Sequence, residues 1–151
     1  MTVGKTVTNL QIGYFLFRAT LGVDIFFHGF MRLLTGLHAW EVNQAAAFVN
    51  TPLPMPLVHL FLTVLPFIEV VLGACTILGL FTRWALIGGS LMMMILVFGN
   101  TQRQEWATVG NNMHYVVYYW LLIIRQCDNW LAVDNRLEAK RAVPVESAAT
   151  A

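Results

Sequence analysis

Arg18, Asp24, His28 and Arg32 stand inside one apolar stretch, Leu10 to Leu34, and their spacing puts all four on one side of a helix. At about 100° per residue, with Arg18 as zero, Asp24 falls at about 240°, His28 at about 280° and Arg32 at about 320°. Each charged group in hydrocarbon costs roughly 2.5 to 3.5 kcal/mol on insertion scales, so a membrane helix carrying four must turn them toward other helices, water or a ligand. A carboxylate, an imidazole and two guanidinium groups in one stripe can hold a polar ligand and exchange protons with it.

A second stripe runs from His59 to Thr76. With His59 as zero, Thr63 falls at about 40°, Pro66 at about 340°, Glu69 at about 280°, Gly73 at about 320° and Thr76 at about 260°. Pro66 frees a backbone carbonyl and is expected to kink the helix just before Glu69, opening space beside that carboxylate. Farther along, Asn111, His114, Tyr118 and Arg125 share another arc. From helical rise, Asp24 and Glu69 fall near the midplane of their helices and Arg18 about 6 Å to the cytoplasmic side. An ion pair of Arg18 with Glu69 or Asp24 is the expected compensation, and it could equally serve to fix helix register. His28, His59 and His114 come from three helices, each about 9 to 14 Å to the outer side of its centre, and could share one site.

The elements that must position these residues are membrane helices. The 151 residues are 58% hydrophobic and 11% charged, with a mean hydropathy of +0.64, whereas a soluble domain carries about 25% charged residues. Four apolar segments stand out: Leu10 to Leu34, Pro56 to Phe81, Trp84 to Asn100 and Gly110 to about Val133. The third is marginal in length for a bilayer about 30 Å thick. The predicted fold is all-α, an integral membrane four-helix bundle with a long outer loop between helices 1 and 2, Thr35 to Met55. Within that loop Glu41 to Phe48 could form a short surface helix, and a loop of this length could act as a lid. Residues 1–136 would form one membrane domain and 137–151 a disordered cytoplasmic tail.

Lys5, Arg83, Arg136, Lys140 and Arg141 fall on the side shared by both termini, which the positive-inside rule makes cytoplasmic. The first span is too long and too charged for a cleaved signal peptide. Cys75 and Cys127 are expected to be buried free thiols in the cytoplasmic halves of their helices. A net charge of +1 argues against nucleic acid as a partner. The histidines lack HxxxH or HxxH spacing and no CxxCH appears, so metal and haem are disfavoured and no metal ligands are assigned. No dinucleotide or phosphate-loop motif appears either.

Arg18 with Leu21-Gly22, then His28-Gly29-Phe30-Met31-Arg32-Leu33, resembles a family pattern of R-x-x-x-G followed by H-G-x-x-K-L. Glu69 to Gly73 and Leu78-Gly79-Leu80-Phe81-Thr82-Arg83 resemble its E-x-x-x-G and L-G-L-x-T-R signatures, and Leu131-Ala132-Val133-Asp134 is similar to a closing S-L-D. The chain is thus identified as a member of the DoxX/DoxD family of four-helix membrane proteins, with Arg32 where Lys is usual; Asp24 and His114 fall outside the pattern.

The resemblance implies a membrane subunit of a quinone-linked oxidoreductase, as DoxD is in thiosulfate:quinone oxidoreductase, in a bacterial or archaeal plasma membrane. It also implies another oxidoreductase subunit as partner, beside the lipid bilayer, with a homo-oligomer left open. On that basis His28, with His59 or His114, would hold a quinone headgroup near the outer leaflet, with Arg18 and Glu69 setting electrostatics and proton supply. Arg32, Tyr118 and Asp24 would complete the site, and Phe26, Phe27, Phe61, Tyr115, Tyr118 and Tyr119 would supply flat walls. The alternatives are a non-catalytic assembly or anchor subunit of a redox complex, whose polar interior only locks helices together, and a small transporter.

Overall fold

A computed structural model describes residues 7–138. Four helices make up most of it: α1 (Asn9–Ala46), α2 (Met55–Leu78), α3 (Thr82–Gln102) and α4 (Trp106–Ile124). α1, α2 and α3 are each long and apolar enough to cross a membrane. α4 is shorter, 19 residues, and carries Asn111, Asn112 and His114 in its N-terminal half.

α1 begins with a capping box: the Gln11 amide donates to the Thr8 hydroxyl (3.3 Å) and the Thr8 amide to the Gln11 side chain (3.0 Å). This satisfies two amide groups that have no partner inside the helix. The long outer loop expected after the first helix is largely absent. α1 continues to Ala46, broken only at Gly36, whose φ of 115° and ψ of 89° are non-helical. Glycine has no Cβ to clash at positive φ, so it turns the chain there without ending it. The elbow beyond Gly36 includes most of the short helix expected at Glu41 to Phe48, and the connection to α2 shrinks to residues 47–54. Ala45 and Phe48 bury themselves against Val58 and Leu62 of α2. This packing is what turns a predicted loop into helix.

Pro66 is absorbed within α2, which runs unbroken from Met55 to Leu78. α2 ends on Gly79 in the left-handed conformation (φ 66°), with the Leu80 amide donating back to the Cys75 carbonyl at 3.0 Å. The Asp134 carboxylate caps the start of α3, accepting from the amides of Phe81 (2.7 Å) and Thr82 (2.8 Å). α4 stops at Ile124, earlier than the expected Val133, and a 3₁₀ turn, Gln126–Asp128, follows. Arg125 and Asp128 pair across that turn at 2.7 Å, and a local pair of this kind does not need the apolar run to continue. Both cysteines are free, as expected, but Cys127 lies in this turn and is exposed, while Cys75 is only partly buried.

The helices associate as two pairs. α1 packs along the whole of α2 and α3 along α4, while the α2–α3 and α1–α4 contacts are sparser. Glycines set the first pair's spacing: a Cβ on Gly29 would lie 2.3 Å from the Pro66 carbonyl oxygen, and one on Gly73 would lie 2.5 Å from the Phe26 amide nitrogen. Small residues at these crossings let the backbones touch. Tyr14, Leu21, Ile25, Leu65, Leu86, Met92, Met93, Tyr119 and Leu122 fill the core between the pairs.

Candidate functional site

A cavity of about 590 Å³ opens between the two pairs, in the half of the molecule nearer the elbow. α1 contributes Ile25, His28, Arg32, Trp40 and Gln44 to its wall. α2 contributes Phe61, Leu62, Leu65 and Glu69; α3 contributes Met93, Leu96 and Asn100; α4 contributes Thr108, Asn111, Asn112 and Tyr115. Apolar side chains make the walls, and polar groups converge at a few points, the usual character of a small-molecule site.

The central polar feature is an ion pair between Arg32 of α1 and Glu69 of α2. Glu69 is almost fully buried, its side chain only 4% exposed. The Arg32 guanidinium also lies over the Trp40 ring, 4.5 Å from its centroid, so the elbow helps hold the cation through its π face. Arg32 bonds Glu69 through one Nη only, and a guanidinium has five N–H donors. The pair therefore retains donors for a guest.

His28 and Asp24 form a second cluster. The Nδ1 of His28 lies 2.9 Å from the Asp24 carbonyl oxygen. A carbonyl only accepts, so Nδ1 carries a proton, and Nε2 makes no hydrogen bond among the described residues. The Asp24 carboxylate accepts the Tyr115 hydroxyl proton at 2.6 Å, tying α1 to α4.

The expected pairing of Arg18 with Glu69 or Asp24 does not occur. Arg18 is fully buried at the opposite end of the α1–α2 pair. It donates to the carbonyls of Thr76, Ile77 (3.2 Å) and Leu131 (2.6 Å). The antiparallel register explains this: Gly22 lies against Gly73 and Ile77, and Gly29 against Pro66 and Glu69. The level of Glu69 is therefore eleven residues beyond Arg18 on α1, about 16 Å by helical rise. Arg18 ties the end of α2 to the segment after α4.

The three histidines do not share a site either. His28 lines the cavity. His59 bonds to Glu41, a buried carboxylate that also lies 3.9 Å from His38, so His59 latches the elbow to α2. His114 is exposed on α4, turned by about 100° from its neighbour Tyr115. Among the expected aromatic walls, Phe61 and Tyr115 line the cavity, whereas Phe26, Phe27, Tyr118 and Tyr119 do not. Tyr118 instead packs edge-on against Phe17, with centroids 5.5 Å apart.

Several cavity residues were not singled out by sequence pattern, among them Gln44, Asn100, Arg103 and Asn112. Arg103 lies over the Phe48 ring, 5.0 Å from its centroid, and 3.3 Å from the Asn100 side chain. Trp40 was visible as an isolated aromatic, but its place over Arg32 depends on the Gly36 turn.

The DoxX family model matches residues 13–100, which span the Arg18 anchor, the Arg32–Glu69 pair and most of the cavity lining. The chain belongs to the DoxX family. The match takes in α1, with its elbow, α2 and nearly all of α3, and these apolar helices make this DoxX protein a multi-pass membrane protein. No curated protein and no solved structure matches the chain.

Proposed function

We propose that this DoxX protein is the quinone-binding membrane subunit of an oxidoreductase, seated in a plasma membrane with four crossings and both termini cytoplasmic. One observation carries the reading: the cavity between the helix pairs combines apolar walls with a buried Arg32–Glu69 pair and an imidazole beside it.

A quinone headgroup presents two acceptor oxygens and a flat ring, and the lining suits both. Arg32 has unused donors, Asn111 and Asn112 offer amides, and Trp40 and Phe61 offer aromatic surface. When bound, a quinone supplies reversible uptake of two electrons and two protons. His28, held through Nδ1, exchanges a proton at Nε2. Glu69 neutralises Arg32, so that the cation orients acceptor oxygens without leaving an uncompensated charge in the membrane. Trp40 and Gln44 wall the cavity on its elbow side. Electrons come from a second subunit, since this chain carries no nucleotide-binding or metal-ligand motif.

A structural reading has one observation in its favour: Arg18 and Glu69, the most deeply buried charges, are both engaged inside the bundle, as in an assembly subunit without redox chemistry. Quinone extraction from protein purified in mild detergent separates the two. The proposal expects co-purifying quinone in the wild type and loss of most of it in His28→Ala and Arg32→Ala. Equal quinone in wild type and both variants, or none in any, removes it. The assembly reading expects those variants to lower complex yield while turnover per assembled complex stays unchanged.

A further inference from the structure

The seam between α1 and α4 leaves polar groups uncovered at membrane depth. The Asp24 side chain is 40% exposed and that of His28 48%. On α4, His114 falls about 40° around the helix from Tyr118, which packs on Phe17 of α1; His114 is exposed and makes no hydrogen bond among the described residues. α1 and α4 touch sparsely, so neither helix shields the other's polar edge. A carboxyl group and an imidazole left facing acyl chains are costly, and polar groups at that depth are found covered by protein.

The arrangement is self-complementary. Tyr115 donates to Asp24 at 2.6 Å, so Asp24 and His114, the residue before Tyr115, lie in depth within the reach of one tyrosine side chain. One Asp24 oxygen is taken by Tyr115; the other has only the distant His28 ring, at 3.5 Å. A two-fold axis along the membrane normal preserves depth, and it sets residue i of one copy against residue j of the other in both directions. An acceptor and an imidazole at similar depth, on the sides of α1 and α4 that flank the seam, meet that requirement.

We propose that the α1–α4 seam is a self-association face, on which two copies pair about such an axis, Asp24 of each meeting His114 of the other. Each copy then closes the seam beside its neighbour's His28, so the polar edge of each cavity is completed by the second chain. The inference does not rest on the quinone reading, and its test does not use quinone as a readout.

The full chain is reconstituted in lipid vesicles, and pairing is read by fluorescence transfer between donor- and acceptor-labelled copies on dilution with lipid. The wild type is expected to pair, and Asp24→His and His114→Asp each to pair weakly alone. Mixing the two single variants restores both cross-contacts, and association rises at least about tenfold over either alone, equivalent to about 1.4 kcal/mol. A second measurement covers misfolding of those variants. In a Cys75→Ser/Cys127→Ser background, chains with Asp24→Cys and differently tagged chains with His114→Cys should form an oxidative cross-link to each other. A monomeric wild type, a mixture no better than its parts, or cross-links only to a different protein in native membranes overturns the proposal.

Discussion

Arg32 and Glu69 meet across α1 and α2, with the carboxylate buried and the guanidinium held between it and the Trp40 ring. Breaking a buried pair from one side leaves the remaining charge uncompensated, a loss of about 3–5 kcal/mol. Glu69→Gln and Arg32→Leu should therefore each lower stability by that order, while the double variant recovers part of the loss. Thermal unfolding in detergent of the four forms gives the coupling directly. Additive single losses would show that the two side chains do not act as a pair.

Arg18 is expected to matter for folding and not for ligand. Hydrogen bonds to charged groups contribute about 1.5–3 kcal/mol each, and Arg18 supplies bonds to carbonyls on α2 and on the segment after α4. Arg18→Ala should sharply reduce the yield of folded protein. Arg18→Lys should recover only part, because an ammonium lacks the planar fork that spans two segments. Quinone per folded molecule should match the wild type in Arg18→Lys; a selective loss there would return Arg18 to the site.

Gly29 and Gly13 form a matched contrast on one helix. A Cβ at Gly29 would press on the Pro66 carbonyl oxygen at 2.3 Å and on the Glu69 Cβ at 2.8 Å, whereas at Gly13 it meets nothing within 4 Å. Overpacking costs about 1–3 kcal/mol, so Gly29→Ala should lower the unfolding temperature and disturb the Arg32–Glu69 pair. Gly13→Ala should be neutral or slightly stabilising, since alanine favours helix by up to about 1 kcal/mol. Equal melting temperatures for the two variants would contradict the close α1–α2 approach.

Asp134 caps α3 from outside the residues matched by the family model. Loss of an N-terminal cap costs about 0.5–2 kcal/mol, so Asp134→Ala should destabilise by that amount and Asp134→Asn by less, the amide retaining one acceptor. Hydrogen exchange at the Phe81 and Thr82 amides should accelerate in Asp134→Ala. Unchanged protection there would show that the cap carries no energy.

The residue pattern alone marks the chain as a helical membrane protein and, in the Arg18–Gly22, His28–Leu33, Glu69–Gly73 and Leu78–Arg83 motifs, carries the resemblance to the DoxX family. Hydropathy and helical period depend only on neighbouring residues, and both are written along the chain. It also put Arg32, His28 and Glu69 on polar faces, for the same local reason. Boundaries were less legible: α1 runs through Gly36 because Ala45 and Phe48 bury against α2, and α4 ends early beside a local Arg125–Asp128 pair. The tail expected to be disordered lies almost wholly outside the described residues. Which charges meet was decided only by tertiary structure. Face and depth along separate helices do not fix the register between them; the close approach at Gly22, Gly29 and Gly73 does. That register sends Glu69 to Arg32, commits Arg18 to carbonyls at the far end, and keeps His59 and His114 out of the cavity that His28 lines.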